Sequence, residues 1–160
     1  MTIRHATMND LSEITRVEAE CFPPAEAASR ESFAARLERY PNHFWLMFDG
    51  DELVSFVNGM VSDEEVLTDE MFADASMHNP NGRWQMIFGV TTVPSRRRNG
   101  YAARLLETAI AEAKEQHRAG LILTCKEHML HYYAKFGFVS EGDSESNHGG
   151  AKWYQMRLTF

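Results

Sequence analysis

Apolar and polar positions change period repeatedly along the chain, and each change marks an element. TIRHAT alternates and predicts a first strand. In MNDLSEITRVEAECF, Leu11, Ile14, Val17 and Cys21 recur at helical spacing, with Asn9 or Asp10 as the expected cap. Pro23-Pro24 ends that helix, because proline lacks the N–H and clashes with the preceding turn. Ser29 is placed to cap SRESFAARLERY, with Phe33 and Leu37 inward. HFWLMF and ELVSFVNGMVS read as strands joined at Asp49-Gly50, a hairpin signal. A polar stretch with a short helix near LTDEMF leads to RWQMIFGVTTV, a proline-free strand that stops at Pro94. GYAARLLETAIAEAKEQHR sets Leu105, Leu106, Ala109, Ile110 and Ala113 on one helical face. LILTC, a helix HMLHYYAKF stopped at Gly137, and the strands FVSEG and AKWYQMRLTF complete the pattern. Strands alternate with helices around a long hairpin, which predicts an α/β (α+β) domain with a mixed sheet.

Composition narrows the setting. At 160 residues, 44% of them hydrophobic, the chain suits one domain, 1–160, with its own core, and no repeat or linker divides it. A formal charge of −7 argues against a nucleic-acid or anionic-membrane partner. No apolar run approaches the length of a membrane span, and no signal core opens the chain. The two cysteines, Cys21 and Cys125, offer no metal spacing or disulfide framework, so a reduced, cytoplasmic setting is expected.

Against that acidity, RRRNGYA stands out. It follows a strand and opens a helix, where unpaired N–H groups and the positive dipole end favour an anion. Gly100 removes a Cβ from the approach, and Ala102 keeps the next turn thin. The Walker and GxGxxG patterns are absent. From these residues alone, a phosphate cradle and a solvated turn remain equally open.

Arg97-x-x-Gly100-x-Ala102 resembles the acetyl-CoA motif of the GNAT N-acetyltransferases, which also lies between a strand and a helix. Tyr132-Tyr133-Ala134-Lys135-Phe136-Gly137-Phe138 is similar to the Tyr-x-x-x-Gly-Phe segment of that family. The stretch Cys21–Ser29 and the acidic run Asp63–Glu70 resemble the arylalkylamine and polyamine branch. The resemblance implies a single GNAT domain with a mostly antiparallel central sheet flanked by helices. It implies acetyl-CoA as cosubstrate and no metal. The coenzyme diphosphate would rest on Arg97, Arg98, Asn99, Gly100, Tyr101, Ala102 and Ala103, and the pantetheine arm on Val90, Thr91 and Thr92. Phe22, Pro24 and Phe88 fall on the acceptor side. An oxyanion donor is expected among the N–H groups near Val90, where the strand of the family splays.

Acetyl transfer needs a neutral amine, and deprotonating an alkylamine of pKa ~10.4 at pH 7 costs about 4.6 kcal/mol. Vertebrate arylalkylamine enzymes carry paired histidines on the strand before the motif. The matching positions here are Met86 and Phe88, which take no proton. Glu26, Asp63, Glu64 and Glu65 are the alternative bases; Glu26 leads because prolines stiffen its loop, and bulk water is the fallback. Tyr133 is expected to face the coenzyme sulfur, with Tyr132 as the neighbouring option. Passing a proton from a phenol near ~10 to a thiolate near ~8.5 is uphill by roughly 2 kcal/mol, which favours a hydrogen bond over full transfer. His128 and His131 share a helical face without a third metal ligand, and Cys125 reads as an inert buried thiol.

The leading expectation is an acetyl-CoA-dependent transferase acting on a small primary amine, arylalkyl or polyamine. Peptide or protein N-acetylation and a non-catalytic acyl-CoA-binding module are the competing readings. A homodimer is compatible with the sequence, which does not choose the oligomeric state.

Overall fold

A computed structural model describes residues 1–160. The elements run β1 (Thr2–His5), α1 (Leu11–Cys21), α2 (Arg30–Arg39), β2 (Phe44–Asp49), β3 (Glu52–Asn58), β4 (Val61–Ser62) and α3 (Asp69–Ala73). They continue with β5 (Trp84–Ile87), β6 (Gly89–Thr92), α4 (Tyr101–Glu115), β7 (Gly120–Cys125), α5 (Leu130–Ala134), β8 (Val139–Asp143) and β9 (Tyr154–Thr159). Two sheets result, β1-β2-β3-β6 and β4-β5-β7-β9-β8. Only the β5–β7 pairing is parallel. The mixed, mostly antiparallel α/β architecture expected from the sequence is therefore present.

The two longest predicted strands are each broken once. ELVSFVNGMVS divides into β3 and β4 at Gly59-Met60, and RWQMIFGVTTV into β5 and β6 at Phe88. Pairing crosses both breaks, since Phe88 N donates to Asn58 O at 2.7 Å and Met86 N to Met60 O at 2.8 Å. The ribbon stays paired while it bends from one sheet into the other. β5 runs beside β7, whereas β6 is the edge of the first sheet and has only β3 as a neighbour. That divergence opens a wedge between β6 and β7, and the site lies in it. The break falls at Phe88, just ahead of the Val90 region where the sequence resemblance placed it.

One core of 34 buried residues holds the elements together. α4 buries Leu105, Leu106, Ala109 and Ala113 against β2, β3, β6 and β7, while Ile110 on the same predicted face is only partly covered. α1 and α2 pack on each other, and α1 packs on β3 and β6. Ser29 caps α2 as expected, its Oγ accepting from Ser32 N at 3.1 Å. At α1 the expected cap is corrected. A 3-10 turn, Met8–Asp10, precedes the helix, and Thr7 is its cap. Asp10 instead reaches back to accept from Thr7 N at 2.8 Å, a capping box, and binds Arg4 at 2.8 Å.

Candidate active site

The wedge contains a cleft of 650 Å³ lined by β6, the 96–103 turn, the end of β7 and α5. Successive N–H groups of a strand point to opposite edges, so alternate N–H groups of β6 face this cleft with no strand to receive them. Past β6 the chain turns through Arg98 (φ 69°) and Gly100 (φ 75°), both left-handed, into α4. Gly100 has no side chain to cap the helix, and a Cβ built there meets nothing within 4 Å. The first N–H groups of α4 therefore face a cradle that stays open.

The three arginines of this turn have different duties. Arg96 is committed to the β2–β3 hairpin, bound to Asp49 at 2.7 Å and Glu52 at 3.3 Å. Arg97 Nε donates to Thr92 O at 3.1 Å, fixing the turn to β6. Arg98 makes no hydrogen bond or ion pair within the protein and lines the cleft. Neither Arg97 nor Arg98 has a carboxylate partner, so their charge is available to an anion.

At the far wall, Tyr133 is 7% exposed, against Tyr132 and Phe138 with ring centroids at 5.1 and 6.2 Å. Its hydroxyl has no hydrogen-bond partner in the protein and opens onto the cleft. Burial, with Tyr132 and Cys125 close by, pushes the phenol well above its ordinary pKa, so it stays protonated and able to donate. Burial likewise pushes the Cys125 thiol up to about 11, which makes it a poor nucleophile.

A second cavity, 320 Å³, adjoins the first. Both are lined by Phe22, Glu26, Phe88, Gly89, Thr124 and Trp153, so these residues form the neck between them. Glu26 comes from the proline turn, which closes by bonds from Glu26 N and Ala27 N to Pro23 O at 2.9 and 3.0 Å. Its Oε1 binds Lys126 Nζ at 2.7 Å, and its Oε2 has no partner. Glu18, on α1, accepts from Ala28 N at 3.0 Å and ties this loop to the helix. Burial raises the Glu18 pKa, an effect opposed by the Ala28 amide and by the charges of Arg36 and His148.

The outer wall comes from the chain between β8 and β9. Asp69, at the start of α3, accepts from Ser146 Oγ and from Asn147 N. His148 stacks on Phe72 (5.5 Å, 13°) and contacts Glu26 O through Nε2 at 2.9 Å. Trp153 Nε1 donates to His148 O at 2.9 Å. Phe72 and Phe88 pack at 4.4 Å between centroids. The result is an aromatic pocket with three carboxylates, Glu18, Glu26 and Asp69, along its walls.

The acetyltransferase (GNAT) family model matches residues 8–138. The chain belongs to the GNAT acetyltransferase family. A GNAT-like decarboxylase, GphF, solved with isobutyryl-CoA, superposes with a TM-score of 0.85 over 99% of both chains at 17% identity. The ribosomal-protein-S18-alanine N-acetyltransferase of Escherichia coli gives 0.74 over 99% of this chain and 92% of its own, at 19% identity. These likenesses establish the shared fold. By sequence, the chain is 26% identical over 144 residues to the probable hydrolase YhcX of Bacillus subtilis. That stretch is 84% of this chain but spans only 28% of the relative's length.

In this GNAT domain most of the expected site residues converge. Val90, Thr91, Thr92, Arg97, Arg98, Gly100, Tyr101, Ala102, Ala103 and Tyr133 all line the larger cleft, and Phe22, Glu26 and Phe88 stand at the neck. Two stand apart. Asn99 lines neither cavity; its Nδ2 donates to Arg96 O at 2.9 Å and braces the turn. Pro24 is exposed and lines neither cavity, whereas Pro23 borders the cleft. Asp63, Glu64 and Glu65 are exposed and line neither cavity; Asp63 accepts from Arg83 N at 3.0 Å and Glu65 binds Arg157 at 2.9 Å. Sequence reading missed Glu18, Arg36, Asp69, Lys126, His148 and Trp153. HGGAKW carried the only local signal, a glycine pair beside a histidine and a tryptophan. No helix is long and apolar enough to cross a membrane.

Proposed function

We propose that this GNAT domain transfers an acetyl group from acetyl-CoA directly to a small primary amine held in the 320 Å³ cavity. The observation that carries the reading is the shared neck. A thioester lying along β6 would end at Phe88 and Gly89, where the acceptor cavity opens. The open N–H groups at the start of α4, with Arg97 and Arg98, suit a diphosphate. The unpaired N–H edge of β6 suits the amides of a pantetheine arm and can donate to a developing oxyanion.

The roles then follow from what each residue can give. Glu26 Oε2, unpartnered at the neck, accepts a proton from the incoming ammonium directly or through water. Glu18 and Asp69 add to a potential that draws a cation into the pocket. Tyr133 donates a hydrogen bond to the departing sulfur and retains its proton, since its raised pKa makes full transfer steeper than for an ordinary phenol. The aromatic wall of Phe22, Phe72, Phe88 and Trp153 favours an arylalkyl body over a polyamine. The roof formed by residues 146–153 favours a small molecule over a peptide.

The test is release of free coenzyme A thiol from acetyl-CoA across a panel of arylalkylamines, polyamines and peptides, with products identified by mass spectrometry. Stoichiometric thiol and N-acetylated small amine are expected. Acetylation confined to peptides, or coenzyme binding without any acetylated product, would overturn the reading.

A further inference from the structure

One group in the acceptor cavity is not accounted for by an amine alone. Arg36, on α2, is 3% exposed and lines this cavity. Its guanidinium lies among the rings of Phe88, Phe33 and Phe72, at 4.9, 5.2 and 5.9 Å from their centroids. Nη1 donates to Asn58 Oδ1 and Nη2 to Phe72 O, each at 3.0 Å. Nε has no partner. Both protein acceptors are neutral, and no carboxylate lies within 4.0 Å, the limit for an ion pair. Five N–H groups meet two acceptors.

A buried cation without a counter-ion is expensive, because its lost hydration is not repaid. Glu18 is the carboxylate whose charge reaches Arg36, but it is not in ion-pair contact and accepts instead from Ala28 N. The cavity thus has an unmatched guanidinium on its wall and a free carboxylate oxygen of Glu26 at its neck.

We propose that the acceptor is an amine that also bears a carboxylate, an aromatic amino acid type of zwitterion, with its carboxylate on Arg36 and its amino group at the neck beside Glu26. This rests on the N-acetyltransferase reading and narrows its substrate. Arginine suits the task because its planar fork matches a carboxylate with paired N–H donors. With Asn58 and Phe72 each taking one hydrogen from a different Nη, the remaining Nη hydrogens are left for the ligand.

The experiment compares acetylation of L-phenylalanine, L-phenylalaninamide and phenethylamine, and separately measures binding of each by calorimetry to the protein saturated with coenzyme A. The amide is the demanding control. Its amine titrates near the ~7.7–8.0 of an α-amino group, so intrinsic reactivity favours it over the free acid. A kcat/KM for phenylalanine at least about tenfold above both carboxylate-free amines is expected, from one charge-assisted contact. Asn58→Asp places a carboxylate against Nη1, neutralising the arginine in a protein that keeps its buried pairing. It should collapse that preference to about threefold or less, as should Arg36→Gln, with coenzyme A binding retained as the check on folding.

Equal or better turnover of phenethylamine and the amide would overturn the zwitterion proposal while leaving the transferase reading intact. Binding of phenylalanine that is sensitive to Asn58→Asp, without turnover of any amine, would keep the carboxylate site and overturn the transferase reading. Neither turnover nor selective binding would overturn both. The wild-type comparison decides the matter even if Arg36→Gln fails to fold.

Discussion

Gly149 rests directly on Glu26. A Cβ built on the glycine would stand 2.7 Å from Glu26 Cγ, and the glycine itself holds a left-handed φ of 65°. The wall of the smaller cavity and its candidate base are therefore in contact across more than 120 residues of sequence, joined further by His148 Nε2 at Glu26 O.

Gly149→Ala is expected to move Glu26 away from the neck, in addition to a backbone penalty of about 1–2 kcal/mol for a left-handed alanine. Amine turnover should fall by about tenfold or more, with coenzyme A affinity unchanged because the phosphate turn is on the other side of the neck. Parallel kinetics and calorimetry check this. A coenzyme affinity that falls in step with turnover would show that the substitution disturbs the whole domain.

Tyr133→Phe removes a hydroxyl that makes no bond within the protein. Stability should change little, while kcat should drop by about ten- to a hundredfold, the scale of one donor to a developing charge. Tyr132→Phe serves as the comparison and should leave kcat near wild type. Because burial raises the Tyr133 pKa, the wild-type rate should show no alkaline loss from this phenol until well above the ordinary tyrosine range. An alkaline limb near pH 9 that vanishes in Tyr133→Phe would contradict the assignment.

At the coenzyme end, Gly100→Val tests the cradle. The protein itself has room for a Cβ there, so the folded state should lose only the cost of the left-handed backbone. The added methyls would instead intrude where the first N–H groups of α4 meet the diphosphate. The dissociation constant for coenzyme A is expected to rise about tenfold or more, measured by calorimetry. In the wild type the same constant should rise with added salt, since Arg97 and Arg98 contribute charge at an exposed turn.

Acid should unfold the protein through the buried His43 and its half-buried neighbour His78. Burial pushes His43 and His78 from 6.5 down to about 4. At His78 the neutral form is held in place, because Nδ1 accepts from Val61 N at 3.0 Å; at His43 the bond from Nδ1 to Gln85 Oε1 at 2.8 Å opposes the shift, and burial outweighs it. Between about pH 6.5 and 4 the unfolded chain takes up protons that the folded chain refuses, so stability falls as pH falls across that window. His43 alone accounts for a loss on the order of 3 kcal/mol. Denaturant midpoints measured from pH 7 to 4.5 should decline, and less steeply in His43→Gln. A flat profile would show that the folded protein admits the charge.

Much of this was readable in one dimension because it depends on local chemistry. Helical spacing placed the buried face of α4, since Leu105, Leu106 and Ala109 need only the periodicity of their own helix. RRRNGYA left an anion cradle and a solvated turn equally open, and the GNAT resemblance favoured the cradle; in the fold Arg97, Arg98 and Gly100 line the cleft. The tyrosine-bearing segment HYYAKFGF likewise carried its own motif, and Tyr133 lines the cleft. Cap choice was less legible: Thr7, Asn9 and Asp10 are all good cappers, and the Arg4–Asp10 pair that turns Asp10 backwards belongs to a strand contact.

What the tertiary structure alone decided is where distant segments meet. No local pattern distinguishes one strand of eleven residues from two that bend at Phe88, because the bend is imposed by β7 drawing β5 into one sheet while β3 holds β6 in the other. The smaller cavity is assembled the same way, from α1, α2, the end of β3, α3 and the 146–153 segment. Arg36 reads in sequence as one more polar residue of a surface helix. Only packing buries it among three phenylalanines without a carboxylate, and charge balance across space has no signature in the order of the residues.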